Sequence, residues 1–438
     1  MNMRRTLLLL MTLAGLAPVG AMSAGVPLTL PASVAEALRS GTDASLVRER
    51  LELASALEGE AQSMLWPRLS LRGSYAQTNS PLGGFGMILG QRSFDGSVDF
   101  NRPGRLDNAT AAVDFSYRLY AGGADVARAR AAAAQRDASA HQSQADLAEI
   151  STAVIRAFLD CRQAGRLHEA LSASRAALDA SLKVAQASEE EGRLLKAERL
   201  NLSVQLAQVE QQLLIADSLV RLSARRLLIL LGRPAGESVE LAPLAEVGSA
   251  DLSKSSDGAT RPELLAMRQR VEAAGQMVAL AEAGRLPTVD FQASYQNEQG
   301  WVRSGSGTSW SAGLVARYNI FDAQESASRT RAARAELRAA ELSLRKMEAE
   351  MDFDLARAKL LVEQADSRLR VSRLAVEQAD ESARLTRERF QAGRALSAEL
   401  IGVESRLADA RMQLAAAESD QVASRIALRR ACGQALFP

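Results

Sequence analysis

A chain of 438 residues with two histidines and two cysteines offers little from which to assemble a reactive centre. His141 and His168 both lie in alanine-rich stretches of helical pattern, and no HExxH, GxSxG or phosphate-loop pattern occurs. The "GGADVARAR" run after Tyr120 lacks the lysine of a phosphate loop, and "SGSGTSW" ahead of Trp310 reads as a loop tip. Cys161 and Cys432 stand far from any CxxC or Cys/His cluster; they read as two small buried residues or, in an oxidising compartment, as one disulfide. No catalytic residue, metal site or cofactor is expected, so the chain is not read as an enzyme. With 53 Lys+Arg against 52 Asp+Glu, no polyanion-binding surface is implied, and nucleic acid is not an expected partner.

The charged residues that remain fall into two groups. In "EEGRLLKAERLNL" (190–202) and "QAGRALSAELIGV" (391–403), a glutamate follows a glycine by six residues, giving Glu198 after Gly192 and Glu399 after Gly393. Taken singly, each is a solvated helix start favoured by the macrodipole; multiplied by symmetry, the two become acidic rings at the narrow end of a tube. Arg72, Asp114, Arg118, Asp290 and Arg317 punctuate segments of alternating polarity. They line an aqueous lumen if those segments span a membrane, and are ordinary solvated residues otherwise.

The elements that must position these residues are repeated. "LWPRLSLRGSYAQ" (65–77) corresponds to "RLPTVDFQASYQN" (285–297), Pro67 to Pro287 and Tyr75 to Tyr295. From Tyr120 and Phe321 onward a constant offset of 201 relates Gly192 to Gly393, Glu198 to Glu399 and Gly232 to Gly433. Each repeat reads helix, strand, strand, very long helix, glycine break, helix. The expected organisation is a signal peptide at 1–24, a first repeat at 25–241, a linker at 242–260 and a second repeat at 261–438. The first repeat has strands at about 68–77 and 110–120 and long helices at about 123–190 and 196–231; the second has strands at about 288–297 and 309–321 and helices at about 323–390 and 397–432.

The strands show a period of two: Leu69, Leu71, Gly73 and Tyr75 alternate with Ser70, Arg72 and Ser74, and the fourth strand places Trp310, Ala312, Leu314, Ala316, Tyr318 and Ile320 on one face. The Gly- and Ser-rich segments between paired strands read as loops. Leu202, Leu206, Val209, Leu213, Ala216 and Val220 step by 4 and 3 in turn, a heptad seam repeated by Val403, Leu407, Ala410, Leu414 and Ala417. With 47% hydrophobic but only 4% aromatic residues, long alanine-packed helices are favoured over a large globular core. Beyond the signal peptide no apolar stretch approaches the ~20 residues of a spanning helix, so any membrane contact falls to the strands. Four strands cannot close a barrel, and spanning a membrane therefore demands an oligomer. A soluble sandwich with one buried face is the alternative.

In repeat order and in "YRLYAGG", "EGRLLKAERLNLS", "AGRALSAELIGVESRL" and "RRLLILLGRP", the chain resembles the TolC family of outer-membrane efflux channels. The resemblance implies an α+β membrane protein: a homotrimer in outer-membrane lipid, with four strands per subunit forming a 12-stranded barrel continued by a periplasmic α-helical coiled-coil barrel. It implies partners as well, a periplasmic adaptor protein and an inner-membrane pump, for which the chain is a passive exit duct for small molecules or metal ions. Type I protein secretion is the alternative within the family, and a periplasmic coiled-coil scaffold that forms no channel is the alternative outside it. Carried over by position, Gly192, Arg193 and Leu194 with Gly393, Arg394 and Ala395 are the turns where the adaptor docks. Glu198, Glu399, Arg394 and Phe390 surround the tip constriction. Phe390 replaces a tyrosine of some members, Ala395 a gating arginine, and Gly402 a second acidic position.

Overall fold

The computed structural model describes residues 27–99, 101–234, 236–244 and 260–434. The expected signal peptide and nearly all of the expected linker lie outside these residues. The order is α1 (Leu30–Ser40), α2 (Thr42–Ser63), β1 (Arg68–Thr78), α3 (Pro81–Gly90), β2 (Leu106–Tyr120), α4 (Ala124–Glu190) and α5 (Lys196–Leu231). There follow α6 (Pro262–Ala283), β3 (Thr288–Gln299), β4 (Ser306–Arg317), α7 (Glu325–Gln391) and α8 (Ser397–Ala431).

Helices α4 and α7 each run for 67 residues, about 100 Å at 1.5 Å per residue. Neither contains a proline, and alanine, the best helix former, recurs through both. Shorter helices back them: α2 and α5 pack on α4, α6 lies between α4 and α7, and α8 packs on α7 and also touches α4. The ends of α1 and α5 approach so closely that only glycine fits between them. A Cβ on Gly232 would lie 2.8 Å from the Ser40 carbonyl oxygen, and one on Gly41 would lie 3.0 Å from that of Leu230. Bidentate hydrogen bonds from Arg233 to Glu36, at 2.6 and 2.8 Å, fasten the same junction.

The two larger apolar clusters lie along the rods. One gathers Leu30 and Val34 of α1, Ile155 and Phe158 of α4, Leu227 and Leu231 of α5 and Ile426 of α8. The other, at the far end, gathers Leu178, Ala185, Leu202, Val209, Phe390, Leu400, Val403 and Leu407. Leu202, Val209 and Ala216 of the α5 seam are buried, as are Val403, Leu407, Ala410 and Ala417 of α8. Cys161 and Cys432 are both buried free thiols, so the disulfide alternative is not realised.

The four strands form one antiparallel sheet in the order β1-β2-β3-β4, which leaves β1 and β4 as open edges. Leu71, Val113, Tyr295 and Trp310 stand in register across it, as do Leu69, Phe115, Ala293 and Ala312, so the apolar positions of all four strands share one face. That face is bare: Leu71 is 81% and Trp310 77% exposed.

Two expectations about this region need correction. The segment between β1 and β2 is not all loop, because Pro81–Gly90 forms α3. Pro81 at the first helical turn and the apolar run from Phe85 to Leu89 outweigh the glycines that suggest a loop. Gln91, just past α3, donates from Nε2 to the Asp107 carbonyl oxygen (2.6 Å) and the Asn108 Oδ1 (2.9 Å), docking the helix on β2. β4 ends at Arg317, short of Tyr318 and Ile320. Its last partner is Thr288, and the preceding Pro287 has no N–H with which to extend the ladder.

Candidate functional site: two helical tips and the polar face of the sheet

Both long helices end in the same five-residue turn. At the first, Gly192 adopts φ 72°, its N–H donates to Glu189 O (2.9 Å), and the Arg193 N–H donates to Ser188 O (2.8 Å). At the second, Gly393 adopts φ 69°, its N–H donates to Phe390 O (2.9 Å), and the Arg394 N–H donates to Arg389 O (2.8 Å). This is a Schellman ending, which satisfies the last carbonyls and needs a left-handed residue, hence glycine. Leu195 and Leu396 then take extended backbone as N-caps of α5 and α8, and both side chains are exposed at the extremity of the molecule.

The two sequence-matched glutamates do different things. Glu399 accepts from Arg389 Nη1 (2.7 Å) of its own hairpin, and both groups are substantially exposed. Glu198 reaches across to the other hairpin. Its Oε2 accepts from the backbone N–H of Ser397 (2.9 Å) and from the Ser397 hydroxyl, so a carboxylate of α5 caps the N-terminus of α8. An anion at that position neutralises unsatisfied N–H groups and suits the positive end of the helix dipole. Ser397 is fully buried in this contact.

Phe390 is buried in the apolar cluster shared by the two hairpins, with Leu178 and Leu202 of the first and Leu400 of its own, rather than presented to an opening. Arg394 is exposed, Ala395 and Leu194 are half-buried against the apolar cluster, and Arg193 pairs with Glu191. Two further ion pairs brace the tips, Arg199 with Glu189 and Arg387 with Glu404. Glu404 is only 3% exposed, and its hydrogen bond to Arg387 raises the guanidinium's pKa further, against the opposing effect of burial. The repeat offset could not reveal the contact between Glu198 and Ser397, because the two residues are not equivalent positions. The exposure of Leu195 and Leu396 was foreshadowed by leucine at matched N-caps.

On the sheet, the face opposite the apolar one carries the predicted charges. Arg72 Nε bonds Asp114 Oδ2 (3.0 Å), and Asp114 Oδ1 accepts from the Ser294 hydroxyl (2.7 Å), linking three neighbouring strands. Arg118 Nε bonds Asp290 Oδ1 (3.1 Å) and its Nη1 lies 3.5 Å from Asp125 at the start of α4. Arg317 shares this face at the end of β4, opposite Thr288. Among the described residues there is no cluster of three or more metal-ligating side chains, and no helix is long and apolar enough to cross a membrane.

No curated protein matches the chain. A family model described as outer membrane efflux protein matches residues 258–434. Among solved structures, the outer membrane protein VceC from Vibrio cholerae superposes with a TM-score of 0.78 at 20% identity, covering 93% of this chain and 96% of its own. The Campylobacter jejuni CmeC outer membrane channel superposes with a TM-score of 0.82 at 14% identity, covering 92% and 85% respectively. The open state of the Neisseria gonorrhoeae MtrE outer membrane channel gives 0.76 at 18% identity, covering 93% and 89%. Residues 258–434 thus match the outer membrane efflux protein family model, and nearly the whole length of the chain has the fold of these outer-membrane channels.

Proposed function

We propose that the chain is the outer-membrane exit duct of an efflux system and that three copies assemble it. The observation that carries this reading is a sheet open at both edges with its apolar face exposed. In lipid each unpaired edge group costs several kcal/mol, so β1 must pair with β4 of a neighbouring copy. Three copies give twelve strands, the closed barrel implied by the resemblance to TolC-family channels. The rods support the same assembly. Leu46, Leu53 and Leu57 of α2, Val204, Ile215 and Leu222 of α5, and Leu342, Phe353, Leu360 and Val371 of α7 are exposed. Packed subunit to subunit, these seams close a helical tunnel in the periplasm.

In this assembly Arg72, Asp114, Arg118, Asp290 and Arg317 line the aqueous barrel, since the apolar face meets lipid. Glu399 and Arg394 border the constriction at the tips, with Glu198 and the buried Phe390 holding the hairpins around it. The turns at Gly192, Arg193 and Leu194 and at Gly393, Arg394 and Ala395, together with the exposed Leu195 and Leu396, receive a periplasmic adaptor that couples the duct to an inner-membrane pump. The duct supplies a path and no energy; the pump chooses the small molecule or metal ion exported.

The test is single-channel recording from detergent-extracted protein in planar bilayers, with its oligomeric state measured in parallel. A trimer with discrete conductance, altered by Glu399→Ala, is expected. A detergent-independent monomer without conductance would replace the duct by a periplasmic scaffold.

A further inference from the structure

Helix α3 lies against the charged face of the sheet, at the end of the strands away from the rods. Gly84, Ile88 and Gln91 form its buried stripe. A Cβ on Gly84 would lie 2.7 Å from Leu106 Cδ1, and one on Gly307 would run into the Gly90 carbonyl oxygen. By strand alternation and register, Leu106 and Gly307 share the face of Asp114 and Arg317, opposite Leu71 and Trp310. Besides the Gln91 bonds to β2, Arg92 Nη2 donates to the Thr308 carbonyl oxygen of β4 (3.0 Å), so the helix is tied down across the sheet.

The other side of α3 is apolar and bare. The helix contains no polar or charged side chain; Leu82 is 82% and Leu89 47% exposed, with Phe85 beside them. An exposed apolar stripe calls for a partner. Lipid cannot supply it, because in the duct reading, on which this inference rests, lipid meets the opposite face of the sheet. Twelve strands about 4.8 Å apart, tilted by about 40°, close at a radius of about 12 Å. Three helices about 10 Å wide, packed around the axis, need a disc of about 11 Å radius. Three copies of α3 therefore fill the mouth and turn their bare stripes toward one another.

We propose that α3 of the three copies forms an apolar iris at the outer mouth of the barrel, with Leu82 and Leu89 lining its aperture. Such a constriction resists water and hydrated ions and favours apolar organic solutes.

Two measurements on the detergent-extracted full-length protein test it. In planar bilayers with potassium chloride, Leu82→Ser with Leu89→Ser, which leaves the buried stripe intact, is expected to raise single-channel conductance at least twofold over wild type. Independently, Leu82→Cys is expected to give covalent dimers with a bis-maleimide of about 10 Å reach, the width of one helix. The two native thiols are buried and stay out of the reaction. Leu69→Cys, on the lipid-facing wall with copies more than about 20 Å apart, should give none. A conducting trimer whose conductance the serine pair leaves unchanged, or whose Leu82→Cys copies do not cross-link, overturns the iris and leaves the duct standing. A monomer without conductance in wild type and variant overturns the duct and the iris with it.

Discussion

Glu198→Ala isolates the contact between the two hairpins. The substitution removes the acceptor for the Ser397 N–H, at 2.9 Å, and for the Ser397 hydroxyl. Hydrogen bonds to a charged group are each worth about 1.5–3 kcal/mol. The carboxylate is half-buried and water can partly replace it, so the net loss is about 2 kcal/mol, well short of the sum of two such bonds. At 1.4 kcal/mol per tenfold change, that corresponds to about 30-fold faster opening of the first turn of α8. Amide hydrogen exchange on the full-length protein reads this directly. The Ser397 amide should exchange about 30-fold faster in Glu198→Ala, while the amides of Leu227 and Leu231, in the other apolar cluster, keep their wild-type rates. Glu198→Gln retains a neutral acceptor and should give about a fivefold effect, near 1 kcal/mol. A Ser397 exchange rate within twofold of wild type in Glu198→Ala would refute the clasp.

Three other perturbations test the surrounding structure. Gly192→Ala and Gly393→Ala force a side chain into φ near 70° with no steric neighbour; each should cost about 1 kcal/mol of local stability, seen as faster amide exchange in the adjoining turns. Arg387→Met strands the buried Glu404 carboxylate and should cost about 3 kcal/mol, whereas Arg387→Met with Glu404→Leu should recover most of it, a double-mutant cycle readable by thermal melting. Glu36 is held below its ordinary value of 4.5, chiefly by hydrogen bonds from Arg233. A carboxylate depressed in the folded state stabilises it above that value and ceases to as pH falls through the folded pKa. Glu36→Gln should therefore cost about 1 kcal/mol at neutral pH, and its melting temperature should converge on that of wild type as the pH falls below 4.5 and through the depressed folded pKa.

What could be read from the sequence is what depends on local periodicity. The alternation around Leu71 and Val113 marks a strand without reference to its partner, and the register then carries Tyr295 and Trp310 onto the same face. Gly192 and Gly393 are legible because a helix that reverses needs a left-handed residue. Helix α3 was hidden by its four glycines, whose cost is outweighed by docking through Gln91 to Asp107, a contact no local pattern encodes. Tyr318 and Ile320 keep the strand alternation but lie beyond the last residue with a partner. Likewise, the charges on the sheet were identifiable as residues, while their pairing as Arg72 with Asp114 and Arg118 with Asp290 follows from strand register alone.

The duplicated tips show how equivalent positions come to hold different duties. The second hairpin is braced within itself by Arg389 with Glu399 and by Arg387 with Glu404. The first hairpin has Ser188, Gln186 and Ser203 where the second has Arg389, Arg387 and Glu404. With no arginine beside it to match Arg389, Glu198 is left to find the nearest unsatisfied donors, which are the N–H and hydroxyl at the start of α8. Any outward motion of the tips that keeps each hairpin intact must then separate Glu198 from Ser397, because this bond joins the hairpins while the buried pair of Arg387 and Glu404 travels with the second. Breaking the clasp exposes two solvatable groups and costs about 2 kcal/mol; breaking the buried pair would strand a charge at greater cost. The hairpins should therefore part only when this clasp and the apolar contacts of Phe390 and Leu400 with Leu178 and Leu202 give way together, each hairpin keeping its own ion pairs.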